Sequence, residues 1–233
     1  MDPVPYDVGL KLQSFLVERR HALRNQKQVS QDPHDLICFL QHKPTYTAGR
    51  RIRGKTELEE EQRLRALGAE YFETMRGGQV TFHGPGQLIA YPILDIRDYK
   101  LNVRCYVSLL EKAVIDTCSH YGINANTTEN TGVWVGNDHK IAALGVHLQR
   151  YVSSHGLALN CDIDISWFDH IVPCGLAEKK VTSISEQLHR KTTVQDVLPV
   201  LISSFQKMLV TPLVEIKQNS ELAKEIQHIV LRS

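Results

Sequence analysis

The sequence predicts an α+β fold, a mixed β-sheet flanked by helices, in one domain spanning residues 1–233. Two observations carry that expectation. Short apolar runs of strand length are interspersed with longer amphipathic stretches, without the regular strand–helix alternation of a doubly wound sheet. No Pro-, Gly- or Ser-rich linker, repeat or low-complexity tract divides the chain. With 42% hydrophobic and 23% charged residues over 233 positions, the chain should bury roughly 70–75% of its unfolded surface around one sizeable core.

The elements follow in order. From Asp7 onward, Val8, Leu12, Phe15, Leu16 and Leu23 fall near helical spacing, with Arg19, Arg20 and Arg24 mostly on the other side. Met1-Asp2-Pro3 lacks the basic start and apolar core of a secretory signal, and Asp7 and Glu18 are acids a transit peptide avoids, so this reads as the first helix. Leu36-Ile37-Cys38-Phe39-Leu40 is a buried-strand run. Thr56 with Glu59 is a capping box opening a charged helix that stops near Gly68. Residues 71–74 and 88–96 read as strands, the second edge-like or bulged because of Pro92. Asn102 caps a helix carrying Val103, Val107, Leu110, Val114 and Cys118, stopped by Gly122. Strands are expected at 132–135, 140–148 and 156–160, and helices at 183–188, 194–209 and 220–231. Pro199 should kink the second of these helices or move its start toward Val197.

Several function classes drop out on composition. Lys+Arg at 27 against Asp+Glu at 26 leaves no basic excess for nucleic acid. No apolar run approaches the roughly 18 residues of a membrane span. Five widely spaced cysteines without a C-x-x-C pair indicate a reduced, intracellular protein with no zinc site.

Three segments can carry chemistry. Cys174 sits in Ile171-Val172-Pro173-Cys174-Gly175, where Pro and Gly break regular structure; it is either an incidental loop cysteine or a thiol within a substrate's reach. Cys38 and Cys118 lie in apolar patterns and read as core thiols. Ser183 with Glu186 is a capping box whose helix N-terminus either only caps or also points positive charge at Cys174. Alternation puts Lys140 on the face of Ala142, Leu144 and Val146, where it either snorkels to water or is pinned against an anion. Gly77, Gly78, Gly84 and Gly86 allow close backbone approach to a ligand, but their spacing fits neither the Walker nor the dinucleotide pattern.

Together these segments resemble the signature of the lipoyl(octanoyl) transferases. The resemblance lies in Arg76-Gly77-Gly78-Gln79-Val80-Thr81-Phe82-His83-Gly84-Pro85-Gly86-Gln87, and in Thr131-Gly132-Val133-Trp134 through Lys140-Ile141-Ala142-Ala143-Leu144-Gly145-Val146. His155-Gly156-Leu157-Ala158-Leu159-Asn160 and Ile171-Val172-Pro173-Cys174-Gly175 with Val181-Thr182-Ser183 complete it in family order. It runs from about Tyr6 to about Leu209. Phe82 stands where many members have tyrosine.

The resemblance implies the biotin/lipoate protein ligase catalytic fold and transfer of an octanoyl group from octanoyl-acyl carrier protein to one lysine of a lipoyl carrier domain. Such domains belong to 2-oxoacid dehydrogenases or the glycine cleavage H protein. Carried over by motif, Cys174 would be the thioester-forming nucleophile and Lys140 the partner that lowers its pKa. Arg76, Gly77, Gly78, Gln79, Val80, Thr81, Phe82, His83, Ala143, Leu144, Gly145, Gly156, Leu157 and Ala158 would line the substrate site, with no cofactor and no metal. Backbone N–H groups near Gly175 or the glycine-rich segment, with His83, would hold the oxyanion. Trp167-Phe168-Asp169-His170 and Asn160-Cys161 look like the eukaryotic, mitochondrial members; a bacterial version would be cytoplasmic. An ATP-dependent ligase, an amidotransferase or an inactive relative would each answer differently to loss of Cys174.

Overall fold

The computed structural model describes residues 2–24, 33–172 and 179–231. A seven-stranded sheet forms the body, from β1 (Leu36–Leu40), β5 (Gln87–Ile93), β9 (Val152–Asn160), β8 (His139–Gln149), β7 (Val133–Val135) and β6 (Ala125–Asn126) in that spatial order, with β10 (Lys180–Val181) also beside β8. A smaller sheet has the order β3 (Glu70–Glu73), β2 (Thr45–Ala48), β4 (Val80–His83). The β2–β3 and β8–β10 pairs are parallel and the others antiparallel, so the expected mixed α+β architecture is the one observed.

Helices α3 (Val103–His120) and α5 (Val194–Leu209) bury Tyr106, Leu110, Val114, Val197, Leu201 and Phe205 against one face of the large sheet. Helix α1 (Tyr6–Arg24) covers the other face with Leu12, Leu16 and Val17, and α6 (Glu221–Leu231) adds Leu222. The small sheet, α2 (Leu58–Ala66) and the 3-10 turn Ile165–His170 enclose a second cluster around Tyr46, Leu64, Phe82 and Phe168. The chain passes from the small sheet at β4 into the large one at β5, closed by Gln87 N–H donating to Gly84 O at 3.1 Å. Residues 76–87 therefore join the two sheets.

Local signals held where the backbone partner is near in sequence. Asn102 accepts from Cys105 N–H and caps α3, although Val103 is exposed and the buried stripe begins at Tyr106. Helix α5 starts at Val194, capped by a Thr193–Asp196 box, with exposed Pro199 inside it; the start is not displaced. The expected Thr56–Glu59 box does not form: Glu57 occupies the N-cap of α2 without a side-chain bond, and Thr56 Oγ1 instead accepts from the Tyr71 hydroxyl at 2.7 Å. Ser183 caps α4 (Ile184–Leu188) by accepting from Glu186 N–H, while the Glu186 carboxylate turns to the Thr182 hydroxyl.

Three differences have tertiary causes. Pro92 lies in an interior strand, flanked by β1 and β9; the ladder to β9 ends at Ala90, which spares the missing N–H. Arg20 points inward from α1, its guanidinium donating to Asp35 at 2.6 Å and to Asp98. β2 and β4 were not expected, because a four-residue strand buried on both sides carries no alternation, and glycines disguise β4.

Candidate active site

A cleft of about 470 Å³, partly open to solvent, lies where the two sheets meet. Its floor is the sheet face turned away from α3 and α5. Ile89 and Tyr91 of β5, Ala143 and Gly145 of β8, and Gly156 and Ala158 of β9 occupy it. The register sets Ala143 opposite Ala158 and Gly145 opposite Gly156, leaving a strip almost without side chains. Leu144 and Leu157 border the cleft through main chain, since their side chains join the core on the opposite face. A Cβ at Gly156 would stand 2.2 Å from the Ala90 carbonyl oxygen, so only glycine fits there.

The roof is the glycine-rich segment. Arg76, buried, donates to Thr47 O at 2.6 Å, Gly77 O at 2.9 Å and Gln79 O at 2.8 Å, tying the roof to β2. Of the residues named from the motif, Arg76, Gly78, Gln79, Val80, Thr81 and His83 border the cleft. Gly77 and Phe82 do not. Gly77 N–H donates to Val146 O at 3.1 Å and seats the roof on β8. Phe82 turns the other way along β4, stacking on Trp167 at 4.9 Å within the small-sheet core.

Lys140 occupies a smaller adjoining pocket with Thr81, Gln87, Ala143, Asn160, Phe168 and Val181; Thr81 and Ala143 border both cavities. This corrects the alternation reading. Trp134 pairs with Lys140 but Val133 with Ala142, so Ile141 is an extra residue on β8. Ile141 and Ala142 both enter the core, and the bulge returns Lys140 to the cleft face. Its ammonium lies over the Trp134 ring at 4.5 Å. Gly132 has φ 131°, and a Cβ there would stand 2.9 Å from Ala142 O and 3.3 Å from Lys140 Cε. The Gly132 and Trp134 of the motif thus shape the Lys140 pocket.

A hydrogen-bonded relay crosses the floor of this pocket. Asn160 Nδ2 donates to Thr182 O at 2.9 Å. Gln87 Nε2 donates to Asn160 Oδ1 at 2.9 Å and to Phe82 O at 3.3 Å, and Gln87 Oε1 faces His83 Nδ1 at 2.8 Å.

The imidazoles around the cleft are neutral near pH 7. Burial holds His42 down to about 4 and, with Arg76 nearby, His155 down to about 3. His83 is held well below its ordinary value by burial, then by His42 and Arg76. His42 donates from Nδ1 to Val4 O at 2.9 Å, so its Nε2 accepts from the Tyr91 hydroxyl at 2.8 Å. His155 has a left-handed backbone, φ 55°, inside β9. That breaks the alternation and brings its ring edge-on to Tyr91 at 6.0 Å in the cleft wall. Among the described cysteines, burial pushes Cys38 and Cys118 up to about 12 and raises Cys161, so these stay thiols; Cys105 is on the surface. Cys174 and Gly175 lie outside the described residues.

Tyr6, Ile89, Tyr91, His155, Gln87 and Asn160 are site residues that sequence reasoning missed. Only Gln87, His155 and Asn160 had a signal, as members of quoted motifs. Tyr6 arrives from the first helix by packing alone.

Residues 5–206 match the family model of the lipoyl protein ligase A/B catalytic domain. A mitochondrial octanoyl-[acyl-carrier-protein]:protein N-octanoyltransferase of Danio rerio is 47% identical over 202 residues, covering 87% of each chain. The Homo sapiens protein of the same name is 48% identical over 168 residues, 71% of each. Among solved structures, a bipartite lipoate protein ligase from Thermoplasma acidophilum, studied with its E2 lipoyl domain, superposes with TM-score 0.68 at 15% identity, covering 94% of this chain and 87% of that one. At that identity the likeness concerns the fold.

Proposed function

We propose the reaction from one premise: this chain belongs to the lipoyl protein ligase A/B catalytic-domain family. It is an octanoyltransferase that moves an octanoyl group from octanoyl-acyl carrier protein to a protein lysine, for lipoylation, as its relatives' names state. The acceptor is the lysine of a lipoyl carrier domain, and the site of action is the mitochondrion.

The octanoyl chain lies along the strip of Ala143, Gly145, Gly156 and Ala158, roofed by residues 76–83. Cys174 is the nucleophile. Its thiolate attacks the thioester carbonyl of the donor, the new C–S bond forms, and the C–S bond to the carrier breaks, the carrier leaving as a thiol with a proton taken from the Lys140 ammonium. Lys140, as ammonium, holds Cys174 ionised. Once the sulfur is acylated it no longer needs a cation, and Lys140 as the free amine takes the proton of the incoming lysine. The amine attacks, the C–N bond forms, the C–S bond to Cys174 breaks, and the thiolate is restored. One thioester replaces another in the first half, so no ATP is consumed.

The observation that carries this reading is the position of Lys140. Its pocket is bordered by Phe168, shortly before the Cys174 segment, and by Val181, just after it. Thr182 N–H donates to Lys140 O at 2.9 Å, so the residues that follow that segment lie directly beside Lys140.

Intact-protein mass spectrometry after mixing with octanoyl-acyl carrier protein, without ATP, tests the reading. Wild type should gain one hydroxylamine-cleavable octanoyl group and Cys174→Ala none. A wild type acylated only when ATP and free octanoate are added would point to an adenylating ligase instead.

A further inference from the structure

The relay behind His83 has a polarity that can be read from its far end. The Thr182 carbonyl can only accept, so the Asn160 amide nitrogen faces it and Oδ1 faces Gln87. The Phe82 carbonyl likewise can only accept, and it independently turns the Gln87 nitrogen the same way. Gln87 Oε1 is left facing His83 Nδ1 at 2.8 Å, and an amide oxygen can only accept. The proton of the neutral imidazole is therefore on Nδ1. Among the described residues no hydrogen bond engages Nε2, and His83 borders the cleft. The ring is held flat against Tyr6, 5.8 Å away at 12°, and edge-on to His42 at 6.1 Å.

We infer that Gln87 and Asn160 are positioning residues that fix His83 as the Nδ1–H tautomer, so that Nε2 offers the substrate a lone pair and not a proton. Among the described residues, Arg76, His42 and His155 are the charged or titratable groups that act on the ring, and each disfavours a second proton. In this role His83 accepts a hydrogen bond and does not donate one to an oxyanion, the alternative role expected from the sequence. The group it suits is an N–H donor. Resting on the transfer reading, that donor is the amine of the incoming lysine: Nε2 accepts one N–H and turns the nitrogen lone pair toward the thioester carbon.

Two measurements test this. The first is nitrogen-15 NMR of the histidine rings in the full chain, with His83→Gln supplying the assignment. It should show a protonated Nδ1 and an unprotonated Nε2 for His83; a protonated Nε2 would overturn the inference. This arm reads the tautomer whatever reaction the enzyme performs, so it fails separately from the transfer reading. The second compares the two half-reactions of Gln87→Leu in single turnover. Transfer from the acyl-enzyme to the acceptor amine should slow about tenfold more than acylation by the donor, the loss expected for one mispositioned hydrogen bond. Equal slowing of both halves would overturn the amine-positioning role.

Discussion

Ala158→Val is the sharpest probe of where the acyl chain lies. Ala158 is buried beside Ile89, Tyr91 and Leu40, and the register sets it opposite Ala143. Valine suits a strand backbone, so its two added methyl groups should enter the cleft without disturbing β9. They would displace about two methylene groups of a bound chain. At about 0.8 kcal/mol per buried methylene, the lost contact is about 1.6 kcal/mol, or about fifteenfold. Ala143, its cross-strand partner, also borders the Lys140 pocket, so the filled space lies at the reacting end of the strip and any bound acyl chain meets it. The assay is kcat/KM for octanoyl-acyl carrier protein, wild type and variant side by side. That value should fall about fifteenfold while the thermal midpoint stays near wild type. A folded variant with an unchanged kcat/KM would refute the placement of the chain along this strip. Should the methyl groups overpack the core instead, unfolding would register a loss of about 1–3 kcal/mol.

Two further outcomes follow from the same geometry. Gly132→Ala must place a Cβ at φ 131° and 2.9 Å from Ala142 O, so denaturant unfolding should show a loss of roughly 2–3 kcal/mol, and acylation should slow as Lys140 is displaced; wild-type stability would contradict the close approach. Acidification from pH 7 to pH 5 should cost about 2 kcal/mol for each of His42 and His155. Both are held below their unfolded value of 6.5, so the unfolded chain binds more protons and stability falls as pH drops from there toward about 4. Urea midpoints that stay flat across this interval would count against neutral, buried imidazoles.

The parts of the molecule legible in the sequence share a short physical range. Asn102 caps α3, Gly68 and Gly122 follow helix ends, and the apolar runs at 36–40 and 156–160 are strands because each signal acts within a few residues. The Thr56 box failed for a complementary reason: the Tyr71 hydroxyl, distant in sequence, took the threonine oxygen that local pattern assigned to the helix. Lys140 was named from its motif, yet its face was misassigned, since one extra residue at Ile141 reverses alternation and nothing in the local pattern marks it.

The helices and the longer strands in their order, the α+β class, the near-even charge balance and the motifs that carry the family were determined by the sequence itself. They depend on local periodicity and residue chemistry. The cleft was decided only in three dimensions. It needs β8 and β9 in a register that sets Ala143 against Ala158 and Gly145 against Gly156. It needs Arg76 bonded to Thr47 to hold the roof, and Tyr6 delivered by α1. The polarity of His83 depends on Gln87, Asn160 and Thr182, which meet only when β4, β5, β9 and the residue after β10 converge. Such contacts join residues far apart along the chain, and their geometry exists only once the sheets have packed.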